Sequence, residues 1–168
     1  IILGIVILLI YIGLSIPELF VDEVEQWPDY KILEAALDIW PSTDQTFNVY
    51  VKEQNTRYVR MILLDFSQEF LQNIKLLPFI ASISSVVFAA LISIQISKKR
   101  LAGIITMLVL LSSVTFTDFD TIAVYENFWV LFYLISIYSI NQRWWYASPV
   151  NFILSIFTKA FIATYFWM

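Results

Sequence analysis

Residues 76–96 are 21 consecutive positions without a formal charge, and this run constrains the chain more than any other feature. As an α-helix at 1.5 Å per residue it is ~31 Å long, about the thickness of a bilayer's hydrocarbon core. Pro78 falls in its first turn, where a missing N–H costs little. Four further stretches resemble it in composition. Residues 1–16 and 101–116 are uncharged, 121–140 carries only Glu126, and 147–168 carries only Lys159. Hydrophobic residues make up 60% of the 168 positions and charged ones 14%, against about 25% charged in soluble domains. A water-soluble fold of this size cannot hide so much apolar surface. The sequence predicts an all-α, polytopic transmembrane helix bundle, with spans at about 1–16, 76–96, 101–116, 121–140 and 147–168. Residues 1–16 also fit the remains of a signal peptide, but no small-residue cleavage site follows, which favours an uncleaved span. Both ends of the chain are apolar, which predicts an N-terminal module of a longer protein.

Charge sets the expected orientation. Lys98-Lys99-Arg100 lies between the second and third spans and Arg143 between the fourth and fifth. The positive-inside rule then places residues 97–100 and 141–143 in the cytoplasm. Residues 17–75 form a long extracytoplasmic loop, which holds 11 of the 14 acidic residues. Within that loop, Tyr58, Val59, Ile62, Leu63, Phe66, Phe70 and Ile74 recur at three- and four-residue steps. This pattern predicts an amphipathic helix lying in the membrane interface. A shorter helix is expected over 30–39, between Pro28 and Pro41. Trp144, Trp145 and Tyr146 read as an aromatic belt at the cytoplasmic boundary. The expected location is an integral, multi-pass position in the cell membrane, with membrane lipid as a partner.

Several chemistries are closed to this chain. It has no Cys and no His, so thiolate nucleophiles, His relays and the usual Zn or haem ligation are absent. A hard cation such as Mg²⁺ or Mn²⁺ stays open, since it takes oxygen ligands. A net charge of −4 with no basic patch argues against nucleic acid.

The carboxylates are the remaining candidates. Asp22 and Glu23 follow the first span closely. A carboxylate at a membrane boundary can serve as a general base toward a hydroxyl or amide, although acid pairs after a span are also ordinary solvated loop. Asp118 and Asp120, one residue apart, can share a divalent ion or simply make the turn polar and cap the next helix. Glu126 and Lys159 are ionisable groups inside spans, expensive unless paired or functional. Their depths match well enough for an ion pair. Arg57 and Arg60, three residues apart, can bind a phosphate or neutralise the surrounding acids.

Taken together, this plan resembles the N-terminal module of GT-C fold glycosyltransferases, above all the protein O-mannosyltransferase and aminoarabinose-transferase branches. Phe20-Val21-Asp22-Glu23 resembles the Asp-Glu pair that opens their first outer loop. Lys98-Lys99-Arg100-Leu101-Ala102-Gly103 is similar to their short basic turn and small-residue helix start. Tyr125-Glu126-Asn127-Phe128 resembles the Glu-bearing start of the fourth span, and Phe157-Thr158-Lys159-Ala160 the Thr-Lys step of the fifth. The Pro-rich, Lys-containing stretch of the aminoarabinose branch has no counterpart here. A second likeness, to the oligosaccharyltransferase catalytic subunit, implies a metal-linked role for Asp118 and Asp120. The resemblance implies inverting sugar transfer from a polyprenyl-phosphate donor to an extracytoplasmic acceptor. Asp22 would be the base, Glu23 its orienting partner, and Arg57, Arg60 and Lys159 would stabilise phosphate charge. Two other functions fit the residues. One is an ion-coupled transporter using Glu126 and Lys159. The other is a non-catalytic membrane subunit with a docking loop.

Overall fold

The structure, a computed structural model, describes residues 2–22, 30–40, 57–123 and 127–158. Glu23, Glu126 and Lys159 lie outside the described residues. The described residues are all-helical, with no strand among them. Helix α1 spans Ile2–Ser15 and continues as a 3₁₀ turn, Ile16–Phe20. Next come α2 (Tyr30–Ile39), α3 (Tyr58–Leu71), α4 (Leu76–Ser97) and α5 (Arg100–Leu111). The chain finishes with α6 (Val114–Phe119), α7 (Asn127–Asn141) and α8 (Ala147–Thr158). Two of these are long and apolar enough to cross a membrane, namely Ile2–Phe20 and Leu76–Ser97. Helices α5, α7 and α8 are apolar but shorter.

The helices pack in the order α1, α5, α4, α7, α8, each against the next, while α3 touches both α4 and α8. Short turns join α4 to α5 and α7 to α8, so each pair runs antiparallel. The turns bearing Lys98 and Arg143 lie at one end, here the basic end. Glu18, Asp22 and Asp120 lie at the other, the acidic end. Gly103 lets α4 and α5 approach closely: a Cβ there would sit 2.6 Å from the Ile94 side chain and 3.1 Å from the Ala90 carbonyl. Thr106 Oγ1 donates to Ser93 Oγ across the same interface at 2.7 Å. Between α7 and α8, Ser136 Oγ donates to the Ser148 carbonyl at 3.0 Å.

Several helix contacts are made by small polar residues, while many large apolar side chains face outward. Ser15, Ser82, Ser85, Ser136, Ser139 and Ser155 are buried, whereas Leu3, Leu9, Leu14, Ile105 and Val109 are exposed. On α1 only Tyr11 and Ser15, one turn apart, are buried. Small polar residues at helix contacts and apolar ones outside are the arrangement that a lipid solvent favours. Apolar packing is concentrated at the acidic end, where Leu33 and Ala36 of α2, Met61 and Leu64 of α3, and Ala81 and Phe128 form a core.

Two expectations need correction. The third apolar stretch is not one helix over 101–116. Helix α5 stops at Leu111, and α6 restarts after Ser113, whose backbone is extended and whose Oγ accepts from the Phe116 N–H. A serine that satisfies a helix-start N–H competes with helix continuation. In the fourth, Thr121, Ile122 and Ala123 are buried but not helical, and the described helix is Asn127–Asn141. The helix expected around 58–74 is present as α3 (Tyr58–Leu71). Arg60, Met61, Leu64 and Ser67 point inward, while Tyr58, Ile62, Phe66 and Phe70 form an exposed ridge at four-residue spacing. Phe66 and Phe70 stack there, with ring centroids 4.7 Å apart. Helix α2, over Tyr30–Ile39, matches its expected range.

Candidate functional site

Polar side chains that the sequence scatters over more than a hundred positions meet at the acidic end. Asp120 follows α6 and is 1% exposed. Its Oδ2 accepts from the Tyr11 hydroxyl at 2.5 Å and from Ser15 Oγ at 3.2 Å. These two donors share one face of α1 because they are four residues apart. Asp120 Oδ1 is buried without a hydrogen-bond partner among the described residues. Loss of hydration raises the Asp120 carboxyl to about 6, and the nearby Glu18 charge adds to this, while the Tyr11 and Ser15 hydrogen bonds oppose it.

The backbone around Asp120 is tied down as well. Ser82 Oγ donates to its carbonyl at 2.8 Å, and Asn127 Nδ2 donates to the Phe119 and Asp120 carbonyls at 3.2 and 3.1 Å. Thr121 Oγ1 donates to Glu18 Oε2 at 3.2 Å, which links this turn to the end of α1.

Lys75 is the second organiser. It is 2% exposed, and its Nζ donates to the carbonyls of Glu18 at 3.0 Å and Val21 at 2.7 Å. Asn73 Nδ2 adds a bond to the Leu19 carbonyl at 3.0 Å, while Asn73 Oδ1 accepts the Lys75 N–H at 2.9 Å. A cation on carbonyls left open at a helix C-terminus is favourable both as a donor and against the helix dipole. The turn between α3 and α4 thus clamps residues 19–21, and Asp22, the next residue, is exposed at the end of the clamped segment.

A cavity of about 440 Å³ adjoins this network. Ser82 and Asn127, which hold the Asp120 carbonyl, also line it, together with Ser85, Phe116, Phe119 and Trp129. Its lining is mostly apolar and aromatic with a few hydroxyls, which suits a largely apolar ligand with some polar groups.

The expected site residues are only partly gathered. Asp22 is exposed beside the Lys75 clamp. Asp118 is exposed on α6 and Asp120 is buried, so the two carboxylates occupy different environments. Among the described residues no group of three metal-ligating side chains forms around them or elsewhere. Arg57 is half-buried before α3, whereas Arg60 is 3% exposed on the inward face of that helix, so the pair does not present two cations to solvent. Lys75, Tyr11 and Glu18 were not among the expected site residues. A Tyr-x-x-x-Ser step on an otherwise apolar helix was the available signal for α1.

The chain matches no family model, no curated protein and no solved structure.

Proposed function

We propose that this chain is the N-terminal part of a multi-pass membrane glycosyltransferase. It would transfer a sugar from a polyprenyl-phosphate donor to an acceptor on the side of the membrane where the acidic end lies. Helices α1, α4, α5, α7 and α8 cross or enter the bilayer in this reading. It is supported by their outward apolar surface and inward serines, and by the contrast between the acidic and basic ends.

The observation that carries the reading is the exposed Asp22 at the end of an apolar helix, held by the Lys75 clamp. Asp22 accepts the proton of the acceptor's hydroxyl or amide as that atom attacks the anomeric carbon. The anomeric carbon–oxygen bond breaks on the opposite side, and polyprenyl phosphate leaves with the electron pair. A single displacement of this kind inverts the sugar. Fixing the base relative to its helix is worth rate, because a misplaced base loses the alignment on which proton transfer depends. The mostly apolar, aromatic lining of the adjoining cavity fits the first apolar units of the donor. Glu23 would orient Asp22, and Arg57 and Lys159 would balance the leaving phosphate. Arg60 faces the core and is a weaker candidate for that role.

The test uses the intact protein in membranes, with Asp22→Asn beside the parent at equal expression. Transfer is followed from a mixed pool of labelled polyprenyl-phosphate sugars. Loss of a general base should lower the rate at least ~100-fold. Equal rates would remove Asp22 from the mechanism, and absence of transfer by the parent with every donor would end the transferase reading.

A further inference from the structure

The basic end is built differently from the acidic one. The turns after α4 and after α7 enclose a polar pocket of about 250 Å³, lined by Gln95, Lys98, Asn141 and Gln142. At ~30 Å³ per water this is room for roughly eight waters, enough for a headgroup but not for acyl chains. Lys98 lines it, Lys99, Arg100 and Arg143 neighbour its lining residues in the chain, and the sequence has no acidic residue from 97 to 117 or from 127 to 168.

Backbone geometry adds to the case. Lys98 and Arg143 both adopt left-handed conformations, with φ of 58° and 61°. Such positions favour Gly or Asn. Here each turn carries a long cation instead. Gln95 has its amide oxygen buried without a hydrogen-bond partner among the described residues. Rotation about its soft terminal torsion would turn that oxygen toward a donor in the pocket. Trp144, Trp145 and Tyr146 are exposed on the same turn as Arg143, and such rings settle at headgroup depth.

We propose that this pocket is a binding site for the headgroup of an anionic phospholipid. The phosphate sits against Lys98 with Arg143 nearby, and a headgroup hydroxyl supplies the donor that Gln95 lacks. Phosphatidylglycerol has this chemistry, with one negative phosphodiester and free hydroxyls. The lipid source rests on the membrane orientation proposed above and not on sugar transfer, so a failed transferase assay leaves this site untouched.

The test is tryptophan quenching of the purified intact protein in mixed micelles, comparing brominated phosphatidylglycerol with brominated phosphatidylcholine. A cation near the headgroup favours an anionic lipid by ~5-fold. The parent should therefore prefer phosphatidylglycerol by at least that factor. Lys98→Asn, chosen because Asn tolerates the left-handed backbone, should lose about fivefold of the preference, and Lys98→Arg should keep it. No preference in the parent, or an unchanged preference in Lys98→Asn, would overturn the site. Displacement of the brominated phosphatidylglycerol by inorganic phosphate at equal concentration would identify a soluble anion as the ligand and overturn the lipid assignment.

Discussion

Asp120 is a carboxyl enclosed by protein with one oxygen satisfied and one not, so its ionised form is the costly one. Its value in the folded chain, about 6, lies above the ordinary 3.8. The sign follows from proton uptake. Between those two values the native state binds more proton than the unfolded state, so stability falls as pH rises through that window. Asp120→Asn keeps an oxygen for the Tyr11 hydroxyl and removes the charge. The variant should therefore lose the pH 4–6 decline that the parent shows in thermal denaturation in detergent. Lys75 tests the opposite logic, a charge that is buried but well engaged. Lys75→Met leaves the Glu18 and Val21 carbonyls without their donor. Hydrogen bonds to a charged group are worth ~1.5–3 kcal/mol, and a loss of that size is expected in denaturation. If the clamp also positions Asp22, kcat should fall further than the stability loss explains. Asp120 stood out only as half of the Asp118–Asp120 pair, and Lys75 not at all, since a lysine before a span looks like any interfacial cation and its carbonyl partners are invisible in a string of side chains.

At the scale of elements, α4 and α5 show how closely two apolar helices can be set. Gly103 is crowded by Ile94 and the Ala90 carbonyl, and the carbonyl is backbone that cannot swing away. Gly103→Val should destabilise the protein by ~1–3 kcal/mol, the range for overpacked cores. Thermal denaturation of the variant checks this, and Ala102→Val, on a neighbouring half-buried position, serves as a comparison. Helix existence was legible throughout: α2 was bounded by its flanking prolines, and α4 by an uncharged run with Lys98 at its end. Helix faces were less legible. In α3 both faces carry large apolar side chains, so periodicity located the helix but could not choose between Met61–Leu64 and Ile62–Phe66. Packing against Leu33 and Ala36 of α2 selected the former for burial. The aromatic ridge was left outside, where the expectation of an interfacial helix had put it. The break at Ser112-Ser113 was missed because serine is tolerated in apolar helices and interrupts them only when a local hydrogen bond competes.

For the whole molecule, the two ends make a topological prediction. The chain has no Cys, so a single introduced one reports cleanly. In sealed vesicles, an impermeant maleimide should label Lys99→Cys from one side only and Asp22→Cys from the other only. Labelling of both from the same side would rule out the proposed orientation. The sequence by itself determined that this chain is helical, that α4 and the α1 segment can cross a bilayer, and where charge concentrates. Those properties follow from local composition and periodicity, and each is visible within some twenty residues. The tertiary structure decided which polar groups meet. Tyr11, Lys75 and Asp120 lie in separate stretches of the chain, and only the packing of α1 and α5 with the oppositely directed α4 brings their ends together. Side-chain hydrogen bonds are short-ranged and directional, so such a cluster has no signature until the helices have chosen their neighbours.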